Sequence, residues 1–184
     1  MRVRGVAVLA ALLLAACGGA EGEGASTAAG EWALILDAQG VVFRRAEAEY
    51  RRFPFGSPRV DVEEMAAEVY GAGSGTRTSN AECGTGPMAF TAYGPIQLNY
   101  LNEQLSGWRA EQGAMALTEE GIVPGITRTQ LDRQSGVRLI EGSTLPGEFE
   151  YATFGGGRIG GVLRGSGDDA LVEVLFAGAN CFLR

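Results

Sequence analysis

The sequence predicts an α+β fold of two similar halves, residues 31–114 and 115–184, with both helices on one face of a mainly antiparallel sheet. Three observations carry this expectation. A punctuated helix with an apolar stripe lies between Pro58 and Gly71, runs of alternating residues follow it, and the same order returns 69 positions later, where Gly125 falls on Gly56.

The folded part starts at Glu31. Residues 32–36 read as a strand, 37–40 as a turn and 41–43 as a second strand. Ser57 is placed to N-cap the helix and Pro58 to take its first position. Val62, Met65, Ala66 and Val69 fall at i, i+3, i+4 and i+7 and so share one face. Gly71 is a natural stop, since only glycine adopts the left-handed turn there freely. Residues 71–86 are rich in Gly, Ser and Thr and read as a loop or a ragged strand. Strands are expected at 88–92, 96–101 and 104–109. Ile96, Leu98 and Tyr100 alternate with Gln97 and Asn99, the pattern of a half-buried antiparallel strand, and residues 101–104 form its hairpin turn.

The second half repeats this order more weakly. Thr127 and Gln130 have capping-box spacing, and a short helix carrying Leu131 ends near Gly136. Strands are expected at 137–141, 148–154, 159–164 and 170–177, with turns at 155–157 and 165–169. Phe55-Gly56-Ser57-Pro58-Arg59 aligns with Pro124-Gly125-Ile126-Thr127-Arg128, and Val62 with Leu131. A duplicated unit and a chance recurrence of helix-then-strands both fit this alignment.

The amino terminus is an address. Met1-Arg2-Val3-Arg4 is basic, and residues 5–16 are an apolar run too short to span a bilayer. Residues 1–16 therefore read as a secretory signal peptide, outside the fold. Leu14-Ala15-Ala16-Cys17 resembles the bacterial lipobox. That resemblance implies cleavage before Cys17 and two or three acyl chains on it. Each buried CH₂ contributes about 0.8 kcal/mol, so several chains anchor a protein stably. Gly18 rather than an acidic residue follows, which implies delivery to the outer membrane, facing the periplasm. Residues 17–30 then read as the lipidated cysteine and a tether of small and acidic residues, roughly 20 Å long as a flexible coil.

Composition excludes whole classes of chemistry. All 15 cationic residues are Arg; there is no Lys and no His. A Ser-His-Asp triad, a Cys-His dyad, a His-bearing zinc site, a Schiff-base lysine and a phosphate-loop lysine are therefore impossible. The 29 Gly residues predict many tight turns. After loss of residues 1–16 the chain carries 13 Arg against 22 Asp and Glu, a net charge of −9, which does not suit nucleic acid. No cofactor and no metal site is expected.

Cys83 and Cys181 remain once Cys17 carries lipid. In an oxidising compartment they are expected to form a disulfide, the other reading being two buried thiols. The Gly71-to-Thr76 stretch lacks the lysine and following helix of a phosphate loop. Asp168-Asp169 reads as a hairpin tip, and Glu63-Glu64 as carboxylates favouring the first turns of the helix. Arg44-Arg45 and Arg51-Arg52 form either a basic contact spot or an exposed charged connection. Trp32 and Trp108 read as core or sheet-edge aromatics.

The "FPFGS" lead-in (residues 53–57), its helix and the hairpin after it resemble the tandem units of beta-lactamase inhibitory protein and of small outer-membrane lipoproteins of the SmpA/OmlA (BamE) type. The chain also resembles alphaproteobacterial hypothetical proteins that carry "ECGTGPM" (residues 82–88) and "AGANCFLR" (residues 177–184), some labelled aspartate-semialdehyde dehydrogenase. That chemistry needs a His base and a nucleotide-binding glycine fingerprint, and this sequence has neither.

The resulting expectation is a membrane-anchored envelope lipoprotein, held through lipid on Cys17, that acts as a non-catalytic interaction or assembly module for an envelope protein. The alternatives are an envelope hydrolase working with two carboxylates, which needs no His, and a carrier of a small apolar ligand.

Overall fold

A computed structural model of the chain describes residues 32–45, 49–134 and 136–182. In chain order its elements are β1 (Ala33–Asp37), β2 (Gly40–Arg45), β3 (Glu49–Pro54), α1 (Arg59–Tyr70), β4 (Thr76–Asn80), β5 (Met88–Tyr93), β6 (Ile96–Leu101), β7 (Gln104–Glu111), β8 (Ala116–Thr118), α2 (Arg128–Leu131), β9 (Arg138–Leu139), β10 (Glu148–Ala152), β11 (Arg158–Arg164) and β12 (Leu171–Gly178). The expected signal peptide (residues 1–16), Cys17 and the expected tether (residues 18–30) lie outside the described residues.

The strands form two sheets. One has four strands in the order β3-β2-β1-β8; the other has eight, in the order β4-β5-β6-β7-β12-β11-β10-β9. This corrects the expected fold class. The described residues are mostly β, 47% strand against 11% helix, and they do not form a pair of helices laid on the face of one sheet. The sequence overweights the helices and misses two strands for a common reason. α2 has only four residues and buries only Leu131. Meanwhile β3, read as an exposed charged connection, and β8, read as nothing in particular, are the edges of the small sheet. An edge strand buries little, so its apolar signal is weak.

The small sheet is built on the β1–β2 hairpin, in which Leu36 pairs with Val41 and Leu34 with Phe43. Its turn is closed by the Gln39 N–H donating to Asp37 Oδ1 at 2.8 Å. β8 then joins β1 in parallel, Ile35 opposite Leu117. The large sheet is antiparallel throughout and symmetrical about its central β7–β12 pair. Both helix lead-ins dock on that pair alike. The Gly56 N–H donates to Leu105 O and the Gly125 N–H to Val172 O, each at 2.7 Å. Pro58 bridges to Gln104 and Thr127 to Leu171. Gly56 and Gly125 have φ of 97° and 100°, where a side chain would be strained. The small sheet takes no strand from the described residues beyond Thr118.

One core serves both sheets. It takes Leu34, Leu36, Val41 and Phe43 from the small sheet, Val62 and Ala66 from α1, and Leu98, Trp108, Phe149, Tyr151 and Leu175 among others from the large sheet. The α1 stripe is as expected, with Met65 and Val69 packed at the margin. Its cap is not: Pro58 takes the N-cap position without a side-chain bond, and Ser57 Oγ donates to Pro54 O instead. The capping box of α2 is present in full. Trp108 is completely buried, and its indole N–H donates to Asp37 O at 2.7 Å, a hydrogen bond from the large sheet to the end of β1. A second, smaller cluster of Cys83, Met88 and Phe90, with Leu101, Ala179 and Cys181 against it, lies apart from that core. No described helix is long and apolar enough to cross a membrane.

Candidate functional site

The period of two along a strand decides which side chains the small sheet turns away from the core. Leu34 and Leu36 of β1 and Val41 and Phe43 of β2 go into the core, so Ile35, Val42 and Arg44 face outward. Register then puts Tyr50 beside Arg44 and Arg52 beside Val42. On the other side Leu117 stands opposite Ile35. Phe154, just after β10, lies against this face, its N–H donating to Glu120 Oε1 at 2.9 Å.

The result is an unusual concentration of exposed apolar surface. Six large apolar side chains stand exposed among the described residues, and four of them, Tyr50 (63%), Met115 (80%), Leu117 (52%) and Phe154 (84%), lie on or beside this face. Scattered exposed apolar residues need no explanation, but a contiguous group marks a contact surface.

Three open grooves run into one another here. The first, about 530 Å³, is lined by Ile35, Val42, Tyr50, Leu117, Phe154 and Arg44. The second, about 460 Å³, shares Ile35, Arg44 and Leu117 with it and adds Met115, Val123 and Pro124. The third, about 340 Å³, shares Met115 and Gly113 with the second and adds Tyr70, Tyr93 and Pro95. The Tyr70 and Tyr93 rings are stacked with centroids 5.0 Å apart, and burial, with help from Tyr93, pushes the Tyr70 hydroxyl up to about 12. It therefore stays a neutral phenol at any physiological pH.

The charges on the face are unequal. Arg52 is paired with Asp37 at 3.0 Å and lies 4.0 Å from Glu119. Arg45 is paired with Glu49 and lies over the Trp32 ring at 4.9 Å. Arg44 is exposed, lines two of the grooves, and its guanidinium makes no ion pair or hydrogen bond with a described residue. Of the four arginines read as a possible basic spot, the fold puts Arg44 and Arg52 on this face and engages Arg45 elsewhere.

A separate groove of about 780 Å³ lies between α1, β4 and β5. Its floor is a polar network around Glu63. Arg59 Nε donates to Glu63 Oε1 at 2.8 Å, and Thr91 Oγ1 and Arg77 also donate to the Glu63 carboxylate. Arg59 lies over the Tyr100 ring at 4.9 Å and is 3.4 Å from Glu103. Burial alone would raise the Glu63 carboxyl, but the hydrogen bonds from Thr91, Arg59 and Arg77 outweigh it and leave it below the ordinary carboxylate range. Glu63 is therefore ionised and saturated with donors. A glycosidase acid needs the opposite, a carboxyl kept protonated near neutrality.

Of the residues the sequence singled out, the fold brings Cys83 and Cys181 together in a disulfide, with sulfurs 2.16 Å and Cα atoms 5.2 Å apart. Asp168 and Asp169 sit in the β11–β12 turn, and the Asp168 carbonyl accepts the Thr129 N–H. Residues 71–75 form a loop after α1 that borders the Glu63 groove. Trp108 is core, and Trp32 packs at its margin. Among the described residues no group of three or more acidic or Cys side chains is placed to hold a metal ion. The sequence did not reveal the outer face. Its one signal is the alternation of Met115 and Leu117 with Ala114 and Ala116, too short to read as a strand. Comparisons with family models, curated proteins and solved structures find no match for the chain.

Proposed function

We propose that this protein is a membrane-anchored bacterial envelope lipoprotein that acts as a non-catalytic docking module for another envelope protein. The observation that carries this reading is the gathering of exposed Tyr50, Met115, Leu117 and Phe154 around open grooves on the outer face of the small sheet. Interface centres are rich in aromatic, Met and Arg side chains, and this face has all three. The lipobox-like stretch ending at Cys17 supports the anchor, and the Cys83–Cys181 bond suits an oxidising compartment. The carboxylate-hydrolase alternative fares worse, because Glu63, the enclosed acid beside the groove of about 780 Å³, is neutralised by two arginines. The carrier alternative requires a cavity that encloses its ligand, whereas the three apolar grooves lie open along the surface.

The test is in-cell photo-cross-linking from a reactive residue placed at Leu117 or Phe154, with one at Arg164 as control. Recovery of the same envelope protein from the first two positions and not from the third is expected. Recovery of none from any position counts against docking. Separately, labelled palmitate fed to cells should enter the protein and not its Cys17→Ser variant, and an unlabelled wild-type protein would reject the lipid anchor.

A further inference from the structure

The three connected grooves form a belt, and its shape and the Arg44 guanidinium, unpaired among the described residues, specify what it takes. The belt runs from Phe154 through Ile35, Leu117 and Met115 to the stacked Tyr70 and Tyr93. Its floor residues Ile35 and Val42 are each only 6% exposed, below the level of the side chains around them. A flat surface resting on Met115 and Phe154 does not reach that floor, whereas a single extended chain does. Extended backbone places every second side chain on one side, about 6.6–6.8 Å apart, so one strand can fill successive grooves. Arg44 lines the first two grooves and has no ion pair with a described residue. Beside an apolar groove, a weakly hydrated guanidinium is matched best by a carboxylate, which it grips in bidentate fashion.

Residues 18–31, which lead toward β1, contain only Gly, Ala, Glu, Ser and Thr and have no apolar anchor. We propose, resting on the docking reading above, that the belt receives an extended segment of a partner protein, with apolar side chains at alternate positions and a carboxylate placed against Arg44.

The probe is a fluorescein-labelled nonapeptide alternating Leu or Phe with Ser, with Glu at the central apolar-facing position, measured by anisotropy on the purified full chain. Its counterpart carries Lys at that position. The Glu peptide should bind about fivefold tighter than the Lys peptide, and the preference should shrink with added salt. Arg44→Glu should reverse the order, while Arg164→Glu, an exposed arginine outside the belt and the same change in net charge, should leave it unchanged. Equal affinity for the two peptides, binding of neither, or a preference that survives Arg44→Glu overturns the proposal. So does binding of phosphatidylethanolamine–phosphatidylglycerol vesicles by Cys17→Ser protein that is lost in Met115→Ser/Phe154→Ser, since the face would then be lipid-directed. If cross-linking from Leu117 captures a partner while the peptides show no charge preference, docking stands and only the extended acidic segment falls.

Discussion

Removing the disulfide should have the largest effect of any change outside the main core. The perturbation is Cys83→Ala/Cys181→Ala, with alanine chosen so that no hydroxyl is left in the apolar cluster of Met88 and Phe90. The two cysteines are 98 positions apart, so the bond closes a ring containing eight of the twelve strands, β5 to β12. Opening a ring of about 100 residues returns roughly 4.7 kcal/mol of chain entropy to the unfolded state, and measured losses for native disulfides are about 2–5 kcal/mol. Against a total stability of about 5–15 kcal/mol, a loss of about 4.7 kcal/mol is roughly a third or more of the whole. In a domain of this length it corresponds to a fall in Tm of about 10–15 °C. The assay is urea unfolding of the full chain followed by Trp fluorescence, since Trp108 is buried and becomes hydrated on unfolding. The double variant should also show a larger m value, because its unfolded chain is less compact. A loss below about 1 kcal/mol with an unchanged m would refute the argument that this ring restrains the unfolded chain.

Other consequences can be measured on the same protein. Trp108→Phe leaves the Asp37 carbonyl without its 2.7 Å indole donor and opens a small cavity, so urea unfolding should show a loss of about 2–4 kcal/mol. Gly107→Ala places a Cβ about 2.2 Å from the Ala179 carbonyl oxygen, backbone that cannot rotate away, and should cost about 1–3 kcal/mol by the same assay. The Glu63 carboxyl titrates below its ordinary value of 4.5 in the folded protein, burial being outweighed by its Thr91, Arg59 and Arg77 hydrogen bonds. Its stabilisation is therefore full above about pH 4.5 and is lost as the pH falls through the lower folded value. Glu63→Gln should destabilise by about 1–3 kcal/mol at pH 7 and flatten the acid limb of the stability profile, and an unchanged limb would show that Glu63 does not contribute to it.

The sequence was legible where pattern is local. The β6 limits, the stripe of α1, its Gly71 stop and the capping box of α2 were all readable, because each depends on residues within a turn or two of one another. The 101–104 hairpin turn was readable too, with Asn102 and Glu103 both at positive φ. The second sheet was not. β3 is Glu-Tyr-Arg-Arg-Phe-Pro, a charged run by composition, and becomes a strand only because β2 offers it a ladder from Gly40 to Arg45. β8 has three residues and no signal of its own; it exists because β1 has a free edge. The candidate face was hidden for the same reason, since Ile35, Tyr50, Leu117 and Phe154 come from four segments spread over 120 positions.

By itself the sequence determined which residue types this chain brings to any chemistry. Without His or Lys its own residues cannot build a His-based triad or dyad, a Schiff-base lysine or a phosphate-loop lysine. It also supplied an even pair of cysteines and the turns that punctuate the strands. Tertiary structure decided what those pieces make. It joined Cys83 to Cys181, paired two edge strands with the β1–β2 hairpin to form a second layer, and set Arg44 among open grooves with no ion pair to a described residue. The physical reason is range. Caps, stripes and turns are stabilised by near neighbours, whereas strand pairing and surface patches arise only between segments that loop closure has already brought together.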